Sequence, residues 1–310
     1  MESSGHNIVA AGNIGKPILD YNFQRNTIAV IEMSSFQLEY SKYLRPNYAI
    51  LLNISKDHLD WHGTMKNYIN AKFKIFSYQN TNDFAYVFDD QRIINLYKRR
   101  KFKASLFVVK KNIKKFIKNK IKNNYLKSSN NVENLSFIYL LMKKFKIADR
   151  FFFSSLQKFK GLPHRQEVFL KKNKISFIND SKATSFEASR SCLTNYKNII
   201  WILGGLKKDG DRFFLNRIKK NIIKAFIIGK DRSFFKKQLR GKIDYKETLN
   251  LKNTVKHIYQ ELKFISLQKK KERIFVIFSP ASASYDQFNN FEERGNQFKK
   301  LTINYARKYF

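Results

Sequence analysis

The chain has 310 residues, and its 61 lysines and arginines exceed its 24 aspartates and glutamates, which gives a formal net charge of +37. Hydrophobic residues make up 43% of the sequence, a globular composition that excludes a wholly disordered chain. The single cysteine, Cys192, excludes a disulfide within the chain and indicates a reducing, cytoplasmic location. The sequence contains no apolar run of about 18 residues, so it predicts no membrane span, and its first residues do not resemble a signal peptide.

The positive charge first suggests a nucleic acid or an anionic membrane as a partner. The basic residues are densest at 98–103, 110–122 and 269–271, and the second of these runs predicts an amphipathic helix with a solvated lysine face. However, Lys, Asn, Ile, Phe and Tyr are abundant throughout, as expected of an AT-biased coding sequence. We therefore interpret the charge as compositional and predict no specific nucleic-acid partner, with a basic nucleic-acid-binding protein as the alternative.

Short β-rich apolar runs alternate with helical stretches, which predicts an α/β fold with mostly parallel strands. A helix is predicted at 132–145 with Asn131 as its N-cap, and the basic segments between about 97 and 125 are predicted to form a surface excursion. The break at Gly161-Leu-Pro163 predicts two domains, 1–160 and 161–310. The strands predicted in the first domain are 27–33, 48–54, 84–88 and 105–109.

The second half of the sequence predicts a small doubly wound, Rossmann-like domain. Residues 168–170 and 175–178 flank a lysine-rich turn and predict a hairpin. The remaining predicted strands are 199–203, 226–228 and 274–278, and the predicted helices are 186–195, 251–264 and 291–308.

Polar loops rich in small residues follow five of the predicted strands, where ligands bind in such folds. These loops are Ser34–Gln37, Ser55–His62, Asn179–Thr184, Gly204–Gly210 and Ser279–Asp286.

Several residues in and beside these loops have two interpretations, one functional and one as ordinary structure. Glu32 and His58 are donors suited to a divalent cation, although a lone surface carboxylate or loop histidine is more common. Asp180 and Lys182 fit either a loop ion pair or contacts to a nucleotide sugar and phosphate. The Gly204-Gly205 pair fits either a close approach to a ligand or a plain turn.

One motif fails on inspection. Gly12-Asn-Ile-Gly-Lys-Pro17 is similar to the end of a phosphate-binding P-loop. The full pattern needs glycine where Ala10 stands and a hydroxyl residue for magnesium where Pro17 stands. We reject it as a phosphate loop.

Seven segments, in and beside these loops, form a pattern in a fixed order: 11–15, 32–39, 53–60, 68–72, 161–165, 179–184 and 279–295. Together they resemble the Mur ligases, the ATP-dependent amino-acid-adding enzymes of peptidoglycan synthesis, and in particular their D-glutamate-adding (MurD) family. The last two segments distinguish that family from its relatives, and the resemblance runs from about residue 8 to the C-terminus.

The resemblance implies a central ATPase-type domain followed by a Rossmann-like domain. It also implies a reaction, in which ATP phosphorylates the terminal carboxylate of UDP-N-acetylmuramoyl-L-alanine and the amine of D-glutamate attacks the acyl phosphate. The implied cofactors are ATP, one or two Mg²⁺ ions and a carbamylated Lys72. Cations and metal ions would carry most of the catalysis, because both steps concentrate negative charge.

By the same resemblance, Glu32, His58 and carbamylated Lys72 are metal ligands, and Lys72, His58 and Lys182 are catalytic. The implied ATP-binding residues are Asn131, Asn134, Arg165, Asp180 and Lys182. The implied substrate-binding residues are Asn13, Ser34, Gln37, Thr184, Lys208, Ser284, Tyr285 and Phe291.

The sequence departs from the family pattern at two places, and one assignment stays open between two residues. Asn130 stands where histidine is usual, Tyr285 replaces an aliphatic residue, and Lys207 competes with Lys208 for the substrate role. Without the resemblance, Phe291 would be assigned to the core.

The family has three domains, and we expect this chain to be an amino-terminally truncated, monomeric piece. It would lack the UDP-binding domain and the phosphate loop, and so be inactive by itself. A related amide ligase such as a folylpolyglutamate synthase is the alternative within enzymes.

Overall fold

The computed structural model describes residues 5–13, 16–268 and 272–309, apart from the side chains of residues 124 and 266–268. The chain divides into two compact units, an amino-terminal unit Met1–Phe159 and a carboxy-terminal unit Lys160–Phe310. Two sequence features lie outside the described residues: Ile14-Gly15 of the glycine segment and the basic run at 269–271.

The amino-terminal unit contains two parallel sheets. Strands β1 (Ile8–Gly12) and β2 (Ile28–Glu32) pair with each other. Strands β3 (Tyr48–Leu51), β4 (Phe84–Phe88) and β5 (Ser105–Val109) form a second sheet in that order. The helices of this unit are α1 (Ser35–Tyr40), α2 (Leu59–His62), α3 (Met65–Phe73), α4 (Gln91–Arg99), α5 (Lys111–Lys120), α6 (Ser129–Lys144) and α7 (Asp149–Lys158).

Successive side chains of β4 point to opposite faces of the three-stranded sheet, and both faces are covered. Ala85 and Val87 pack with the buried rings of Phe73 and Phe76 on one face. Tyr86 packs with apolar residues of β5 and α6 on the opposite face. A further core joins α5, α6 and α7.

Two predictions for this unit are wrong. The region 97–125 is not a surface excursion, since it includes strand β5 and buries Tyr97, Val109 and Ile117. The N-cap of α6 is Ser128, whose side chain accepts a hydrogen bond from the backbone N–H of Asn131. Ser128 and Asn131 are both good capping residues, and the chain begins the helix at the earlier one.

The carboxy-terminal unit is built on one six-stranded sheet in the order β10-β9-β8-β11-β7-β6. All pairs are parallel except the β6–β7 hairpin, which confirms the predicted doubly wound fold. The strands are β6 (Glu167–Lys172), β7 (Ile175–Asn179), β8 (Ile199–Gly204), β9 (Ile222–Ile228), β10 (Tyr245–Glu247) and β11 (Ile274–Phe278). The helices are α8 (Phe186–Asn195), α9 (Arg232–Leu239), α10 (Leu251–Gln268) and α11 (Phe291–Tyr309).

Every residue of the central strand β8 is buried, because helices cover both faces of the sheet. Trp201 belongs to the core on one face, and Ile200 and Ile202 belong to the core on the other. Among the described helices, none combines the length and the apolar character needed to cross a bilayer. The carboxyl ends of β7, β8 and β11 therefore present their loops from a rigid scaffold.

Candidate active site

The loop after β2 leads into α1 through a capping box. The Ser34 hydroxyl accepts from the backbone N–H of Gln37 at 3.2 Å, and the Gln37 side-chain carbonyl accepts from the backbone N–H of Ser34 at 2.9 Å. Both residues were predicted to contact substrate. In the structure they bind each other, which fixes the start of the helix.

Glu32, the last residue of β2, lies beside Asn13, which directly follows β1. The Asn13 side-chain amide donates to Glu32 Oε1 at 3.2 Å, and the Asn13 backbone N–H donates to the Glu32 carbonyl at 2.8 Å. Parallel pairing of β1 and β2 brings the two residues to one sheet edge. A predicted metal ligand and a predicted substrate contact thus lie together.

His58 follows β3 and adopts a left-handed backbone conformation with φ of 53°. Its ring packs edge-on against the ring of Phe36 in α1, with 4.8 Å between the centroids. The Asp57 carboxylate accepts from the His58 backbone N–H at 2.9 Å, and its second oxygen lies 3.7 Å from His58 Nε2. The loop after β3 is therefore held close to the helix that follows Glu32.

Lys72 lies on α3, one turn after Tyr68, and its ammonium nitrogen is 5.2 Å from the centre of the Tyr68 ring. Burial lowers the pKa of the Lys72 amine, against an opposing effect of the nearby Asp57 carboxylate. Burial and the same carboxylate raise the pKa of Tyr68 to about 12. Carbamylation requires a neutral amine, and this environment favours one.

Glu32 supplies a carboxylate oxygen, the donor that Mg²⁺ prefers, and His58 supplies an imidazole nitrogen, a donor more typical of borderline divalent cations. Within the described residues, no three His, Cys, Asp or Glu side chains come together as a metal site. Lys72 could add a third ligand, through oxygen, only as its carbamate.

The predicted adenine-side pair lies on the first turns of α6. The Asn131 side-chain amide donates to the Tyr125 carbonyl at 2.9 Å, so it fastens the preceding turn to the helix. Asn134 is exposed, one turn further along.

In the carboxy-terminal unit, Asp180 follows β7 and is buried, with 6% of its surface exposed. Its carboxylate accepts from the Ser279 hydroxyl at 2.7 Å and from the backbone N–H of Gln166 at 3.1 Å. Burial raises the pKa of Asp180 to about 7, although Ser279, Gln166 and the charge of Arg165 all act in the opposite direction. Asp180 and Arg165 were both predicted to bind ATP, and the structure brings them together.

Lys182 and Phe291 also meet, although they are distant in sequence. The ammonium nitrogen of Lys182 lies 5.2 Å from the centre of the Phe291 ring, at the start of α11. His164 packs edge-on against the same ring at 6.1 Å, and its carbonyl accepts from the Lys182 backbone N–H at 3.1 Å. The predicted ATP and D-glutamate residues of this unit therefore share one edge of the sheet.

The other predicted substrate residues differ in exposure. Ser284 is buried, Tyr285 is 72% exposed, and Thr184 is exposed. The Lys207 ammonium lies 3.7 Å from an Asp209 carboxylate oxygen, and the Lys208 carbonyl accepts from the backbone N–H of Asp211.

Gly205 is required by the packing of the chain itself. Its φ is 144°, and an added Cβ would lie 2.4 Å from the Ala283 carbonyl and 2.6 Å from the Ser282 hydroxyl. The tight approach joins the loops after β8 and β11.

The sequence did not predict the structural role of Arg294, which lies in α11 and is 1% exposed. Its guanidinium donates to the Ser181 hydroxyl at 3.0 Å and carbonyl at 2.8 Å, and to the carbonyls of Ser282 and Ala283 at 3.0 and 3.1 Å. Arg294 thereby joins the loop that carries Asp180 and Lys182 to the loop that carries Ser284. The only signal in the sequence was its place in the segment 279–295.

Comparison with known proteins agrees with this architecture. The Mur ligase middle domain family matches residues 4–147. In solved structures, the MurF ligase of Thermotoga maritima, determined with ADP, has a TM-score of 0.70 at 13% identity, covering 99% of this chain and 75% of its own. The MurC ligase of the same organism has a TM-score of 0.58 at 14% identity, covering 99% and 77%. These structures establish that the fold is that of the Mur ligases.

Sequence relatives define the family more narrowly. The UDP-N-acetylmuramoylalanine--D-glutamate ligase of the Wolbachia endosymbiont of Brugia malayi is 31% identical over 360 residues, covering 97% of this chain and 70% of the relative. The ligase of that name from Natranaerobius thermophilus is 34% identical over 326 residues, covering 97% and 68%. The chain therefore belongs to the UDP-N-acetylmuramoylalanine--D-glutamate ligase family of the Mur ligases.

Proposed function

We propose that this protein acts in the ATP-dependent ligation of D-glutamate to UDP-N-acetylmuramoyl-L-alanine, a step of peptidoglycan synthesis. The observation that carries the proposal is the 31–34% identity to D-glutamate ligases across 97% of the chain. The folylpolyglutamate synthase of Mycobacterium tuberculosis has the same fold, with a TM-score of 0.59 at 12% identity. The fold alone does not separate the two activities, and the names of the sequence relatives favour D-glutamate ligation.

The reaction needs an activated carboxylate, because oxide is too poor a leaving group for direct attack by an amine. An oxygen of the alanyl carboxylate attacks the γ-phosphorus of ATP, the bond to ADP breaks, and an acyl phosphate forms. The neutral amine of D-glutamate then attacks the acyl carbon, inorganic phosphate leaves, and the amine loses a proton. Both steps place negative charge on oxygen, which cationic side chains stabilise.

In the amino-terminal unit, Glu32 and His58 would hold Mg²⁺, and Asn13 would orient the Glu32 carboxylate through the 3.2 Å hydrogen bond. Bound Mg²⁺ would neutralise charge on the phosphate oxygens of the nucleotide. Ser34 and Gln37, at the start of α1, would bind the sugar–alanine substrate. Asn131 and Asn134 would face the adenine.

Lys72 would act as its carbamate. The neutral amine attacks carbon dioxide, one proton is lost, and the product is a carbamate anion that can bind a metal ion. The lowered pKa of the buried amine supports this assignment, since an ammonium group cannot attack carbon dioxide. Lys72 is half-buried, and in this lysine-rich chain the lowered pKa of its amine is what favours it as the carbamylated residue.

In the carboxy-terminal unit, Arg165, Asp180 and Lys182 would bind the ribose and phosphates of ATP. Lys182 would stabilise charge on the transferred phosphoryl group, and the Phe291 ring beneath its ammonium would limit its orientations. The residues proposed to bind D-glutamate are Thr184, Lys208, Ser284, Tyr285 and Phe291.

The proposal is tested by incorporation of ¹⁴C-labelled D-glutamate into UDP-N-acetylmuramoyl-L-alanine, with ATP and Mg²⁺. The assay is run on the chain by itself and on the chain supplemented with the part of the Wolbachia relative that it does not cover. In the supplemented assay we expect ATP-dependent incorporation of D- but not L-glutamate, and its loss in Lys182→Met but not in Lys299→Met, a lysine of the same unit. Failure of both formats with folded protein, while the intact Wolbachia relative is active, would overturn the proposal.

A further inference from the structure

The buried side chain of His62 has no role in the proposed reaction. His62 ends helix α2, four residues after His58, and none of its side-chain surface is exposed. Its backbone N–H donates to the His58 carbonyl at 3.0 Å. The two histidines are therefore linked through a single turn of the chain.

The His62 side chain binds helix α1 in two ways. Its Nε2 atom lies 3.0 Å from the hydroxyl oxygen of Ser35, which is itself buried. Its ring stacks on the ring of Phe36, with 5.6 Å between centroids and 24° between planes. Tyr68 of α3 also packs against the His62 ring, with 5.4 Å between the centroids.

These contacts also connect His62 to the aromatic ring that packs against His58. Phe36, which His62 holds in a stack, also supplies the ring that packs edge-on against the His58 imidazole at 4.8 Å. The His58 backbone is in a left-handed conformation, which a non-glycine residue keeps only when its surroundings enforce it. His62 contacts the backbone of His58 and the neighbour of its side chain.

A purely apolar packing role does not account for the choice of histidine. His62 Nδ1 is buried and has no hydrogen-bond partner in the described part of the chain. It lies 3.5 Å from Glu39 Oε2, which accepts from the Trp61 indole N–H at 2.8 Å. A buried nitrogen without a hydrogen bond is unfavourable, so leucine would fill the space more simply. The bond between Nε2 and Ser35 is what histidine adds.

We propose that His62 is a positioning residue that fixes α1 against the loop after β3 and thereby sets the orientation of the His58 imidazole. This inference rests on the proposed function for the catalytic importance of His58. The geometric part stands on the contacts of His62 alone.

The test compares four variants of the full chain by NMR, with His58 ring signals assigned from His58→Asn. His62→Leu removes both ring nitrogens, and His62→Gln retains an amide that can bond to Ser35. Ser35→Ala removes the partner and keeps the histidine. Lys66→Ala is the matched control, since it changes an exposed residue of the neighbouring helix α3.

We expect His62→Leu and Ser35→Ala to shift the His58 ring signals and to abolish the nuclear Overhauser effects between the rings of Phe36 and His58. His62→Gln should restore them at least in part, and Lys66→Ala should leave them unchanged. A folded His62→Leu protein with the parent's His58 signals would overturn the inference. If His62→Leu does not fold, Ser35→Ala decides in the same way.

Kinetics separate this inference from the proposed function. In the ligation assay, His62→Leu should lower kcat at least tenfold with KM changed less than threefold. If the parent itself does not ligate D-glutamate, the proposed function fails, whereas the NMR comparison still decides whether His62 positions His58.

Discussion

Replacing Arg294 with methionine should destabilise the carboxy-terminal unit more than other single changes on α11. The guanidinium donates four hydrogen bonds, at 2.8–3.1 Å, to Ser181, Ser282 and Ala283. In Arg294→Met, three backbone carbonyls and one hydroxyl lose these donors in a buried place. Methionine fills most of the volume, so the change tests the hydrogen bonds and the charge rather than a cavity.

The magnitude follows from two opposing effects. A hydrogen bond from a charged donor contributes about 1.5–3 kcal/mol, so four bonds would sum to more than about 6 kcal/mol. Burying the guanidinium has its own cost, which is visible in the lowering of the Arg294 pKa to about 10 by burial. Methionine relieves that cost. We expect a net loss of about 3–4 kcal/mol, near the upper end for single substitutions.

The assay uses the two tryptophans of the chain. Trp201 is in the core of the carboxy-terminal unit and Trp61 is in the amino-terminal unit, so a Trp61→Phe background leaves a fluorescence signal from the carboxy-terminal unit alone. In urea, a loss of this size should lower the midpoint by about 1.5–2 M at a slope of about 2 kcal/mol/M.

The matched control is Arg307→Met, an exposed arginine on the same helix, which should change stability by less than about 0.5 kcal/mol. If Arg294→Met unfolds within about 1 kcal/mol of the parent at an unchanged slope, the bonds from Arg294 do not hold the two loops together and the reasoning fails.

Three further predictions concern the stability of single units. Burial raises the pKa of Asp180 to about 7. In the folded unit the Asp180 carboxyl therefore keeps its proton up to about pH 7, whereas in the unfolded chain it releases the proton from about pH 4. The parent should lose stability between pH 5 and pH 8, by about 2–3 kcal/mol relative to Asp180→Asn in urea unfolding. Gly295→Ala would place a Cβ 2.2 Å from His164 Nδ1, and should destabilise by about 1–3 kcal/mol in the same assay. Ser34→Ala and Gln37→Ala each break the capping box, so hydrogen exchange at the start of α1 should rise about fivefold in each, and the double variant should show less than the summed effect.

Controls define what would contradict these three. Asn296→Ala, an exposed substitution next to Gly295, should be neutral or slightly stabilising, since alanine favours helix. An equally mild Gly295→Ala would show that the His164 ring yields without cost. A pH profile that is parallel for the parent and Asp180→Asn would mean that Asp180 does not titrate near pH 7. Strictly additive effects at Ser34 and Gln37 would show that the two residues do not form one capping unit.

The buried strands could be predicted from sequence because each is a short apolar run bounded by polar residues. The bounds of β4, β5 and β11 agree with their predictions residue for residue. Strand β10 was missed, since Tyr245–Glu247 is a three-residue, polar edge strand with no apolar signal. Helix α1 was missed because six residues are too few to show a helical period.

The candidate residues could be predicted from the loops that follow predicted strands. The hydrogen bonds that these loops make with distant residues could not. Arg294 binds Ser181, which is 113 residues away in the chain, and His62 binds Ser35, 27 residues away. No local pattern records such partners. The Ser34–Gln37 capping box differs, because a serine followed three residues later by glutamine is a local pattern that marks a helix start in the sequence.

The central claim is that this protein joins D-glutamate to an activated carboxylate, and the fate of the carboxylate oxygens tests it most directly. UDP-N-acetylmuramoyl-L-alanine labelled with ¹⁸O in its terminal carboxylate is turned over with ATP and D-glutamate, and the released phosphate is analysed by mass spectrometry. Our account predicts one ¹⁸O atom in each inorganic phosphate, because the acyl phosphate breaks at its C–O bond. Ligated product accompanied by unlabelled phosphate would contradict it.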